Sequence, residues 1–130
     1  MFITLWLGIY NKSTGKITFA NAGHNPPLIK ENGKFKYLKC NHDIVLGIME
    51  NFDYASNEIT LKDEIVLYTD GITDANNANN EMYGEYRLLN FFNSFKQDKD
   101  PIEPLLKDIN KFTKEQEQFD DMTLLYLKIK

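Results

Sequence analysis

The chain has 130 residues, the size of one ordinary domain, and with 42% of them hydrophobic against 26% charged it can bury a core and is not a disordered segment. Its net charge is −4 with no basic cluster, and Arg87 is the only arginine, so nucleic-acid binding is set aside. No apolar run reaches the ~18 residues of a membrane span, so no membrane contact is expected of this segment, and the single cysteine, Cys40, excludes an internal disulfide and fits a reducing compartment, most simply the cytoplasm.

The opening MFITLWLGIY lacks the basic flank and cleavage site of a signal peptide and reads as a buried strand over residues 2–10, with apolar residues on both faces. Asn11–Gly15 reads as a turn and Lys16–Ala20 as the returning strand of a hairpin. AGHNPP, Ala22–Pro27, breaks that strand. Pro27–Lys30 and Lys34–Leu38, around a turn at Glu31–Gly33, form a second hairpin. Asp43–Met49 is a short apolar segment, and Glu58–Leu61 and Glu64–Thr69 are two further strands separated by Lys62-Asp63. After a polar loop at Asn76–Asn80 the period changes. Leu88, Phe91, Phe92 and Phe95 predict a helix within Tyr83–Phe95. Ile102, Leu105, Leu106, Ile109 and Phe112 predict another, with Asp100 as N-cap and Pro101 at the first helical position. Met122–Ile129 closes the chain as a strand. Many strands, two helices and a last strand give an α+β fold, an antiparallel sheet system with helices packed on a face. Because the chain begins inside an apolar strand, the expectation is that part of the folded unit lies upstream.

Two acidic segments stand at strand ends. IVLYTDGITDA runs an apolar strand into Asp70 and Gly71, and QFDDMTLL opens the last strand with Asp120 and Asp121. Each has an ordinary explanation alone: Asp-Gly is a common turn dipeptide, and paired acids at a strand end are often a solvated turn. Together they say more. If the two strands are neighbours, Asp70 and Asp120 converge at one rim, and convergent carboxylates are held ionised most naturally by a cation. Oxygen ligands suit Mg²⁺ or Mn²⁺ rather than zinc or copper, and neither cluster has His or Cys at a zinc-type spacing. His24, in NAGHNPP, reads either as a general acid or as a loop brace. The G-x-S-x-G elbow and the Walker loop are both missing.

Taken in order, FITLWLGIYNKSTGKITFANAGHNPPLI, LGI, DEIVLYTDGITDANN, MYGEYRLLNFF and FDDMTLLYLKI resemble the bacterial branch of the metal-dependent protein phosphatases of type 2C, the branch of the sporulation stage II E and RsbU-like regulators of sigma factors. The resemblance covers nearly the whole chain. It implies an antiparallel β-sandwich flanked by helices, a Mn²⁺ or Mg²⁺ centre of two ions at one edge, and hydrolysis of phosphoserine or phosphothreonine on a signalling protein. It matches Asp70 and Asp120 to metal-ligand positions, puts Asp121 and Gly71 beside them, and gives His24 and Asn25 a site-bracing role. Asp74 stands where many relatives carry Glu. The family's first half carries another acidic metal motif that these residues lack, so residues 1–130 are expected to be the C-terminal portion of one phosphatase domain, incomplete at its N-terminal side and inactive alone. The implied partner is a phosphorylated regulatory protein, an anti-sigma-factor antagonist, and the full-length protein could be membrane-anchored through upstream segments. Two other readings stay open: a non-catalytic phosphatase-like interaction module, and a Mg²⁺-dependent hydrolase of small phosphoesters. An exposed sheet edge or apolar face could also pair two copies into a homodimer induced by truncation.

Overall fold

A computed structural model describes the chain apart from His42, Gln97, Asp98, Glu115 and Phe119. The elements run β1 (Leu5–Asn11), β2 (Lys16–Ala22), β3 (Leu28–Glu31), β4 (Lys34–Tyr37), β5 (Asn57–Thr60), β6 (Glu64–Tyr68), α1 (Asp70–Thr73), α2 (Gly84–Ser94), α3 (Ile102–Thr113) and β7 (Leu124–Lys128). They form two antiparallel sheets, one ordered β1-β2-β5 and the other β4-β3-β6-β7.

Both hairpins form where expected. The Asn11 side chain accepts the backbone N–H groups of Ser13 and Thr14 and so caps the first turn. The second turns on Asn32 and Gly33, both with positive φ (52° and 79°), the two-residue turn whose twist matches the strands it joins. Asp100 accepts the backbone N–H of Ile102 at 2.9 Å and so caps the start of α3.

Two apolar layers hold the sheets. Ile17 and Phe19 of β2 face Ile29 of β3 and Ile65 of β6 across the sandwich, with Leu38 and Leu61 closing its side and Trp6 stacked on Phe19 at 5.2 Å. On the other side of the four-stranded sheet, Leu28, Val66 and Tyr68 pack under Leu88 and Phe92 of α2 and Leu105 and Ile109 of α3. β6 is therefore buried on both faces, which is why its residues 65–68 are a continuous apolar run rather than an alternating one.

The strand predicted as buried at the N-terminus is corrected here. β1 is an edge strand of the three-stranded sheet and contributes only Trp6 and Tyr10 to the inter-sheet core. Its other face, Leu5, Leu7 and Ile9, is 42–71% exposed, because both long helices lie against the opposite sheet and no described residue covers this one. The contrast is testable. Leu88→Ala, at a fully buried position, is expected to destabilise the chain by about 2–5 kcal/mol, and Leu7→Thr, on the open face, to change stability by no more than about 0.5 kcal/mol. Urea unfolding of the two variants reads both.

Candidate functional site

The last paired residues of β6 and β7 are Tyr68 and Leu124. Asp70 comes two residues after that pair on one strand, and Asp120 and Asp121 come just before it on the other, so the pairing brings both acidic segments to one rim of the four-stranded sheet. Beyond the ladder the backbone of β6 turns into α1, and the contacts change character. Thr69 N–H still donates to the Thr123 carbonyl at 3.0 Å. The Thr69 hydroxyl then accepts the Thr123 N–H at 3.0 Å and donates to the Asp121 carbonyl at 3.2 Å. Gly71 closes the contact: a Cβ there would sit 2.3 Å from the Asp121 carbonyl oxygen, so only glycine lets the two segments touch.

α1 is a single helical turn where the sequence suggested a simple Asp-Gly turn. Asp70 opens it, its carbonyl accepting the Asp74 N–H at 2.7 Å and the Thr73 hydroxyl at 3.2 Å. The backbone carrying the Asp70 carboxylate is thus fixed from its own C-terminal side. Asp120 is fixed differently. Its Oδ1 accepts the Asp121 N–H at 2.8 Å, and its carbonyl accepts the Gln118 side chain at 2.7 Å. Asp74 and Asp120 line one small cavity, about 50 Å³, behind Gly71. Phe119, in the closing motif, lies outside the described residues.

Asp70, Asp120 and Asp121 are all exposed, and among the described residues none of the three pairs with a lysine or arginine. The donors they offer are carboxylate oxygens, which fit a hard divalent cation such as Mn²⁺ or Mg²⁺. The described residues, these three aspartates included, form no group of three or more His, Cys, Asp or Glu side chains that could hold a metal ion. Larger hollows lie elsewhere, such as a groove of about 590 Å³ between α2 and α3, but its lining includes Arg87 and Lys111 and only one carboxylate, Asp108, which accepts the Tyr83 hydroxyl.

His24 and Asn25 sit behind the rim. Burial lowers the His24 pKa from its ordinary value, opposed by the charge of Asp70 and by the Tyr68 backbone beside the ring. Its Nδ1 lies 3.2 Å from the Thr4 hydroxyl, so the imidazole connects the approach to β1 with the end of β6. Asn25 is next to the buried Tyr68 hydroxyl, whose pKa is pushed up to about 12, chiefly by burial. Sequence reasoning missed the residue that shapes this loop. Asn21 is fully buried, accepts the His24 N–H at 2.7 Å and donates to the His24 carbonyl at 2.9 Å. The signal was there: Asn21 follows Ile17 and Phe19 in the inward alternation of β2, and a polar residue at a buried position needs partners.

The family model for stage II sporulation protein E matches residues 1–130, the whole chain. Protein IcfG of Synechocystis is 30% identical over 128 residues, 96% of this chain and 20% of that protein. The phosphoserine phosphatase RsbU of Bacillus subtilis is 35% identical over 83 residues, 61% of this chain and 24% of that protein. Among solved structures, the SiaA PP2C domain of Pseudomonas aeruginosa superposes with a TM-score of 0.82 at 20% identity, covering 98% of this chain and 52% of that one. The fold is therefore that of a phosphatase 2C domain, and the chain spans about half the length of the solved domain and a quarter or less of the curated relatives.

Gly71→Ala tests the close approach at the rim. The added methyl must push the Asp121 carbonyl away, so a loss of about 1–3 kcal/mol is expected, with NMR shift changes concentrated at residues 69–73 and 120–124. Unchanged stability and an unchanged spectrum would contradict the contact.

Proposed function

Because the chain belongs to the stage II sporulation protein E family, we propose that residues 1–130 form the C-terminal portion of a single metal-dependent phosphatase domain that hydrolyses phosphoserine or phosphothreonine on a regulatory protein. The observation that carries this reading is the meeting of Asp70 with Asp120 and Asp121 at the end of the β6–β7 ladder, with no basic side chain among the described residues to neutralise them. RsbU, named a phosphoserine phosphatase, adds the substrate chemistry.

In this reading Asp70 and Asp120 each give a carboxylate oxygen to a Mn²⁺ or Mg²⁺ centre that other groups complete. When bound, divalent ions supply charge neutralisation on the phosphoryl group and a nucleophilic water at neutral pH. The chain's own residues hold and orient. α1 fixes the backbone of Asp70, the Asp121 N–H holds one oxygen of Asp120 and leaves the other for the cation, and Gly71 sets how closely the two segments approach. Asp121 adds negative charge beside the ligands. His24 and Asn25 brace the end of β6 from the AGHNPP loop. Little covalent chemistry is asked of the protein in such a transfer, since positioning and charge do most of the work. The partner is a phosphorylated anti-sigma-factor antagonist, met in the cytoplasm.

The test is turnover of a phosphoserine protein with Mn²⁺, measured in the intact phosphatase domain. Asp70→Asn and Asp120→Asn should each lower kcat by about a hundredfold or more, the loss of several kcal/mol of charge stabilisation, while circular dichroism shows an unchanged fold. Near-normal turnover in either variant refutes the assignment. Hydrolysis of p-nitrophenyl phosphate without any turnover of phosphoproteins would point instead to a hydrolase of small phosphoesters.

A further inference from the structure

The β6–β7 ladder ends one residue too early to hold the acidic segments by backbone pairing alone. After Tyr68 and Leu124 the backbone of β6 curls into α1, and its carbonyls turn to α1: the Thr69 carbonyl accepts the Ile72 N–H at 3.1 Å and the Asp70 carbonyl accepts the Asp74 N–H. The Thr123 N–H, next in line on the opposite strand, has no backbone acceptor facing it. The Thr69 hydroxyl takes that place. It accepts the Thr123 N–H at 3.0 Å and donates its O–H to the Asp121 carbonyl at 3.2 Å, so one side-chain oxygen continues the strand pairing past the last backbone rung.

We propose that Thr69 is the positioning residue of the metal centre, its hydroxyl clasping the Asp120–Asp121 segment to the strand end that carries Asp70. The inference rests on the metal-centre reading above and adds a residue to it. Thr69 need not touch the cation. It acts through the backbone on either side of Asp121, at the place where Gly71 has already brought that backbone to contact distance. Gly71 permits the approach and Thr69 holds it. Two other described bonds hold this segment: the Thr69 N–H on the Thr123 carbonyl, which ties the strands at Thr123 but does not reach Asp121, and the Gln118 side chain on the Asp120 carbonyl, which belongs to the same loop and cannot set its distance from Asp70.

Thr69→Val keeps the shape and loses both hydrogen bonds, and Thr69→Ser keeps both. Two readouts are taken on the intact phosphatase domain that contains this chain. Amide hydrogen exchange without metal reports whether the clasp exists, and paramagnetic broadening of amide signals by Mn²⁺ reports whether the two segments share a cation. In the wild type and Thr69→Ser, Thr123 should exchange slowly and Mn²⁺ should broaden residues 69–72 and 120–123 together. In Thr69→Val, Thr123 should exchange at least about tenfold faster and the same broadening should need roughly 10–100-fold more Mn²⁺, the usual effect of removing a partner behind a metal ligand. Unchanged exchange in Thr69→Val overturns the clasp. Faster exchange with unchanged Mn²⁺ response overturns its role in positioning. If Mn²⁺ broadens neither segment even in the wild type, the metal-centre reading itself fails and takes the role of Thr69 with it, a result told apart by exchange rates that still rise in Thr69→Val.

Discussion

Five antiparallel residue pairs, from Glu64 with Lys128 to Tyr68 with Leu124, tie β6 to β7, and the acidic segments are what lies immediately beyond the end of that ladder. Everything at the rim depends on its register. A slip of one residue would turn Val66 and Tyr68 away from the helices and Ile65 away from the other sheet, and both apolar layers would lose their central strand. The core therefore fixes the meeting of Asp70 with Asp120 and Asp121. The carboxylates themselves contribute nothing favourable to it.

Their mutual repulsion is small enough for the core to impose. Two like charges 4 Å apart in water repel by about 1 kcal/mol, and all three side chains are exposed. Burial of one large apolar side chain such as Val66 or Leu88 offsets that easily. A divalent cation reverses the sign of the term, since each carboxylate then meets opposite charge. The described residues place no lysine or arginine against these acids. A fixed cation there would compete for the oxygens that the proposed metal centre uses.

Much of this was legible in the sequence, for definite reasons. A strand buried on both faces is a continuous apolar run, and residues 65–68 are one. The helices announced themselves by the spacing of Leu88, Phe91 and Phe92 and of Leu105 and Ile109, and TDG and DDMTLL marked two strand ends whose backbones touch at Gly71, with His24 of AGHNPP close enough to feel the charge of Asp70. What was not legible depended on three-dimensional neighbours. Leu5, Leu7 and Ile9 look like core residues in any window, and only the placement of both long helices on the opposite sheet shows them open. Thr69 reads as a strand-end threonine until Thr123 and Asp121 are seen beside it. The Asp-Gly at residues 70 and 71 reads as a simple turn until the carbonyls of Thr69 and Asp70 are seen accepting the hydrogen bonds of α1.

In the proposed metal centre Asp70 and Asp120, fifty residues apart in the chain, serve one cation. Titration of Mn²⁺ into the intact phosphatase domain by calorimetry, beside Asp70→Asn and Asp120→Asn, reads this. A binding isotherm is expected in the parent domain, and either substitution alone removes it. Binding that survives both substitutions, or that only one of them affects, would mean that the two carboxylates share a rim without sharing a metal.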